Sequence, residues 1–148
     1  MTVIVAILGL ILIIPGLIFL AQRRKAKAEI AKFSVTAADL RSLLGTPDSP
    51  LVVDVRLPLD LLADPHIIPG SVRLAPKEVQ ANPELVPKDK DVVFYCTCPS
   101  DGTSRETLHK AHKANHLRVK FLRGGLGAWK AAGFPVDNYD SAFHLDTL

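Results

Sequence analysis

Two short apolar runs, LVVDV at 51–55 and DVVFY at 91–95, constrain this chain more than anything else in it. Both are valine-rich and nearly continuous. Neither shows the polar alternation of a strand with one face in water. Such runs suit strands buried on both faces, as in a parallel sheet covered by helices. A third run, VKFL at 119–122, repeats the pattern, and shorter strands are expected at 33–35 and 71–74. Helical spacing fills the intervals. Thr36-Ala37-Ala38-Asp39 resembles a capping box with Asp in place of Glu, and Leu40, Leu43 and Leu44 follow before Gly45 and Pro47. Further helices are expected at 77–85, at 104–114 with Asn115 as a left-handed cap, and at 126–132 with Trp129. Residues 56–76 hold four prolines and no clean period, which suggests a long loop. Strands alternating with helices imply βαβ units, and such α/β sheets bind ligands at the carboxyl ends of their strands.

The N-terminus is a separate matter. Thr2 to Ala21, TVIVAILGLILIIPGLIFLA, carries no charge. As a helix it would span about 30 Å, the thickness of the hydrocarbon core. Pro15-Gly16 is tolerated better in a membrane helix than in a water-soluble one. A cleaved signal peptide would need basic residues before the run and a small-residue cleavage site after it. Here the basic residues come afterwards, as Arg23-Arg24-Lys25-Ala26-Lys27. The expectation is an uncleaved single-pass anchor in the cell (inner) membrane, with the rest of the chain cytoplasmic. The segments are then a transmembrane helix at 2–21, a basic juxtamembrane linker at 22–32, an α/β domain at 33–137 and a tail at 138–148. The net charge of +3 belongs to the anchor, because residues 28–148 hold 14 basic and 15 acidic residues. That balance gives no footprint for nucleic acid.

The only two cysteines, Cys96 and Cys98, lie in YCTCPSDGTSR at 95–105, directly after the second buried run. A cytoplasmic pair should be reduced, and a bridge across one residue would be strained. Gly102 and its small neighbours let the backbone curl round an anion, with Ser104 as a candidate N-cap. Backbone N–H groups and the helix dipole there would stabilise a thiolate. The competing interpretation is two small half-buried residues in a connecting loop. His109, His112 and His116 have a metal-like spacing, but Asn115 interrupts the helix and a zinc site needs four ligands. No metal and no cofactor are expected.

Taken together, residues 33–136 resemble a single-domain rhodanese-like protein of the sulfurtransferase family. The matching pieces are VVDVR at 52–56, HIIPGS at 66–71, KDVVFYC at 90–96 and FLRGGLGAWKAAGFPV at 121–136. The resemblance implies a sheet of about five parallel strands with helices on both faces. It implies that Cys96 carries sulfane sulfur as a persulfide, taken from thiosulfate or a small persulfide and passed to a thiophilic acceptor. Asp54 and Arg56 match a structural ion pair, and His66 a turn motif with one extra Ile. The loop departs from the family's Cys-x-x-Gly-x-Arg pattern. It is two residues longer from Cys96, with Asp101 at the Arg position, whereas the spacing to Ser104 and Gly124 favours Cys98. Thr97, Pro99, Ser100, Asp101, Gly102, Thr103, Ser104 and Arg105 form the anticipated anion-binding loop, with Arg123 as a candidate pocket charge. Asp101 is expected to raise the thiolate's pKa and repel thiosulfate. Cys98, as a second thiol, would attack the persulfide, release sulfide and leave a transient Cys96–Cys98 bond. The Cys-x5-Arg loop of related phosphatases is absent. The alternative function is a catalytically weak docking module for a membrane protein partner, which would lack an alkylation-sensitive cysteine.

Overall fold

The computed structural model describes residues 2–98 and 100–139, with side chains described from Ile14 onward. The chain divides into two compact units, residues 1–33 and 34–148. The first is one helix, α1 (Thr2–Phe33), with Pro15 inside it. The stretch expected as a linker, 22–32, is helical throughout. Its Ala, Lys, Arg, Gln and Glu residues are strong helix formers, and no Gly or Pro interrupts them. Phe33, expected in a strand, ends this helix. Among the described residues, no helix is long and apolar enough to cross a membrane. The side chains of residues 2–13, which open the expected span, lie outside that description.

The second unit holds β1 (Ser34–Val35), α2 (Ala37–Leu43), β2 (Leu51–Asp54), α3 (Pro58–Ala63), β3 (His66–Ile67), β4 (Val72–Arg73) and α4 (Pro76–Ala81). After a 3-10 turn at Pro83–Leu85 come β5 (Val92–Tyr95), α5 (Gly102–Lys113), β6 (Val119–Leu122), α6 (Gly125–Ala131) and β7 (Asp137–Asn138). Five strands form a parallel sheet in the order β1-β6-β5-β2-β4. This is the α/β architecture anticipated from the buried runs. β3 and β7 make a small antiparallel pair, and Tyr139 N–H then donates to the Pro65 carbonyl. The remainder of the tail, 140–148, lies outside the described residues.

The region 56–76 is not the long loop expected. Pro58 and Pro76 each open a short helix, where a missing N–H costs nothing and the fixed φ suits the first turn. The cap of α2 forms as anticipated, but with different chemistry. Thr36 Oγ1 accepts from Asp39 N–H at 3.1 Å and donates to the Asp39 carboxylate at 2.7 Å.

Successive side chains of the central strands alternate between two covered faces. Val52, Val93, Tyr95 and Leu122 pack with Ala37 and Leu40 of α2 and with Leu126 and Trp129 of α6. Val53, Phe94 and Phe121 are also buried, on the alternate set of positions. Trp129 explains the GFPV ending: its Nε1–H donates to the Pro135 carbonyl at 2.7 Å, and its ring lies 4.9 Å from that of Phe134.

At the end of β2, Asp54 and Arg56 form a fully hidden ion pair, Nη2 to Oδ2 2.6 Å. Arg56 also donates to the carbonyls of Asp64 and His66, and the Tyr95 hydroxyl donates to Asp54 at 3.2 Å. The same hydroxyl accepts from Ile68 N–H. HIIPGS is thus the strap that satisfies this pair. Arg56→Ala takes the guanidinium from the buried Asp54 carboxylate, which keeps the Tyr95 hydroxyl and Arg73, 3.8 Å away, so it is expected to lower unfolding free energy by about 3 kcal/mol. Urea titration checks this; a loss under about 1 kcal/mol would contradict the burial.

Candidate active site

Cys96 follows directly on β5, at the carboxyl end of the sheet, and is completely buried. Its backbone is clamped by the turn before α6. Leu126 N–H donates to the Cys96 carbonyl at 2.9 Å. Gly125 has φ +49°, and a side chain there would overlap that same carbonyl. Gly124, at φ +72°, donates its N–H to Asp101 Oδ2 at 2.9 Å. This turn thus holds both ends of the thiol loop, Asp101 through Gly124 N–H and Cys96 through Leu126 N–H, and its two glycines supply the left-handed backbone and the close approach that this needs.

At the far end, Asp101 N–H donates to the Cys98 carbonyl at 3.1 Å, and Arg105 N–H to the Asp101 carbonyl at 2.9 Å. Asp101 takes a left-handed conformation, φ 54°, and α5 begins at Gly102. Ser104 is thus not the cap expected; it lies buried in the first turn. Its hydroxyl has no well-aligned partner and rests against the Cys96 sulfur. Pro99 lies outside the described residues, and Ser100 is exposed.

The two thiols face each other but differ in acidity. Burial pushes the Cys96 thiol up, against the opposing pull of the Ser104 hydroxyl and N–H and the Cys98 N–H. Burial acts upward on Cys98 too. There it is outweighed by the Thr103 hydroxyl and N–H and by the Cys96 thiol, so Cys98 ends below the usual thiol range. Cys98 Sγ lies 3.0 Å from Thr103 Oγ1, and it is partly exposed. Iodoacetamide at neutral pH is therefore expected to alkylate Cys98 well before Cys96. Peptide mapping over time checks the order; faster labelling of Cys96 would show that the loop opens.

The charges fall differently from expectation. Asp101 turns its carboxylate to Gly124, and burial raises its pKa against the pull of that N–H and of Arg105 and Arg123. It is not among the groups that chiefly set either thiol's acidity. The acid felt at Cys98 is Asp60, in α3. Sequence reasoning missed Asp60 because β2 and β5 are neighbours in the sheet but distant in the chain. Arg123 is spent on Ser34 Oγ, at 2.9 and 3.3 Å, and only its charge reaches the loop. Among the described residues no cluster of His, Cys, Asp and Glu could hold a metal ion. His116 is buried, and His112 Nε2 lies 3.1 Å from the Val119 carbonyl oxygen.

A thiol loop between a parallel strand and a helix, closed by Gly-Gly and Trp, defines a rhodanese-type α/β domain. Residues 36–132 match the rhodanese-like domain, so the chain belongs to that family. It is similar to a sulfurtransferase from Allochromatium vinosum, 29% identical over 102 residues, which cover 69% of this chain and 92% of that protein. A rhodanese-related protein from Thermoplasma volcanium superposes with a TM-score of 0.59 at 24% identity, over 71% of this chain and 97% of that one. A Rhodopseudomonas palustris protein of unknown function, described as a possible tyrosine phosphatase, gives 0.61 at 28% identity over 77% and 89%. At the level of the family, the activity is that of a sulfurtransferase.

Proposed function

We propose that this chain is a membrane-anchored sulfurtransferase that carries sulfane sulfur as a persulfide on Cys96 and passes it to a thiophilic acceptor. The observation that carries this is the seat of Cys96. It sits at a strand end, its carbonyl is clamped by Leu126 N–H, and its sulfur faces the N–H groups of Cys98 and Ser104. Those donors oppose the burial that holds the thiol protonated, and they would receive the charge of a thiolate or persulfide formed there. No basic side chain lies between Cys96 and Asp101, and Arg123 is engaged elsewhere. A small persulfide is therefore a better donor than thiosulfate, whose two charges the loop cannot match. With no acceptor present, the Cys98 thiolate attacks the inner sulfur of the Cys96 persulfide. A Cys96–Cys98 bond forms, hydrosulfide leaves, and a small thiol reductant reopens the strained bridge.

The anchor is residues 2–21, with the domain on the cytoplasmic side of the inner membrane. Ile14, Leu17, Ile18, Phe19 and Leu20 of α1 are all exposed, an apolar surface that lipid would cover. The basic residues that follow favour the cytoplasmic side. Its partners are then the small sulfur donor, the acceptor and a membrane protein beside it. The test is intact mass of the full chain in detergent after exposure to thiosulfate or to a small persulfide. Gain of one sulfur atom, removed by a thiol reductant, supports the proposal. No gain from either donor would overturn it. Loss of residues 2–21 should move the chain from carbonate-washed membranes to the soluble fraction.

A further inference from the structure

A groove of about 350 Å³ opens between the segments that follow β2 and β4. Its place follows from the sheet. In register, Asp54 of β2 faces Tyr95 of β5 on one side and Arg73 of β4 on the other. The three strands end level, so the segments after them leave side by side at the carboxyl edge. The groove lies between the segments after β2 and β4, and the segment after β5 holds Cys96 and Cys98.

Its walls are apolar: Leu57, Pro58 and Leu59 on one side, Ala75 and Pro76 on the other. Pro58 and Pro76 stand at the starts of α3 and α4, so both walls are rigid helix openings. Leu57 and Leu59 are 50% and 66% exposed, large apolar side chains that no other part of the described domain covers. The groove carries one charge of each sign, Asp60 and Lys77. Asp60 is also the acid whose charge is felt at Cys98, in keeping with the level strand ends that set this side of the groove toward the thiol loop.

We propose that the groove binds the organic half of the sulfur donor, a small zwitterionic thiol carried as its persulfide, and points the terminal sulfur at the Cys96–Cys98 loop. This rests on the sulfur-carrier function above. The donor's carbon chain lies on the leucines and prolines, its ammonium group meets Asp60 and its carboxylate meets Lys77. The volume is at the small end for ligand pockets and suits a molecule of amino-acid size. A loop thiolate attacks the terminal sulfur, the donor's S–S bond breaks, the cysteine becomes a persulfide and the organic thiolate leaves. No oxidant or reductant enters. Thiosulfate has no carbon to place on these walls, and Asp60 repels it.

The experiment uses the full chain in detergent and two sulfur sources, cysteine persulfide and inorganic polysulfide, which has no organic half. Loading is followed by intact mass in wild type, Leu59→Ser and Lys77→Glu. Both positions are exposed at the surface, and circular dichroism confirms folding. Each variant is expected to raise KM for cysteine persulfide about tenfold more than for polysulfide, the loss of one ion pair or apolar contact. Equal effects on both sources, or none, would overturn the groove's role. If wild type loads from neither source, the groove is tested by binding alone with S-methylcysteine, which cannot give up sulfur. Amide shifts at Leu57, Leu59 and Ala75 that vanish in Lys77→Glu keep the groove while the carrier function falls. Absence of shifts removes the groove as well.

Discussion

Cys96→Ser is expected to abolish sulfur loading, with the mass gain from a small persulfide falling about a thousandfold or more, to background. Serine keeps the size and the hydrogen-bonding seat, so the fold should be undisturbed and only the nucleophile is lost. The paired variant makes the result specific. Cys98→Ser should still load, because the clamp on the Cys96 carbonyl does not involve Cys98. Its persulfide should last longer, since the thiol that attacks it is gone. Intact-mass time courses on both variants read both effects. Loading that survives Cys96→Ser and disappears in Cys98→Ser would move the carrier to the more acidic, more exposed thiol.

The second large effect is on the scaffold. Gly125→Ala is expected to cost about 3 kcal/mol or more and to displace the Cys96 backbone. Two penalties add: a non-glycine residue at φ +49°, and a methyl group driven into a fixed carbonyl oxygen. Gly127, two residues on, is the control. It lies inside α6, and a side chain there meets nothing within 4 Å. Gly127→Ala should be neutral or stabilise by up to about 1 kcal/mol, the usual helix preference for alanine over glycine. Thermal denaturation reports the difference, and Cys96 alkylation should speed up in Gly125→Ala alone. Similar behaviour of the two variants would mean that the Gly-Gly turn does not hold the thiol loop.

What could be read from the residues follows a physical line. Leu51–Asp54 and Val92–Tyr95 were legible because valine runs buried on both faces lack the polar alternation of a strand with one face in water. Asn115 was legible because its left-handed φ of 66° is a local property of that residue type. The region 56–76 was misread because proline signals both a broken helix and an opened one, and only packing decides between them. Ser104 was misread for a similar reason. Asp101 starts the helix earlier through a left-handed turn, while its side chain serves the Gly124 N–H instead. Asp60 was invisible as a charge felt at Cys98, since the neighbouring strands β5 and β2 bring together segments far apart in the chain.

The grip of Gly124 and Leu126 on the two ends of the thiol loop separates its length from its foundations. Asp101 and Cys96 are both moored to one short turn, through Gly124 N–H and Leu126 N–H. Such a loop is a replaceable cassette. Segments of other lengths and charges can be spliced between the same moorings, with the donor range changing and the scaffold remaining as it is.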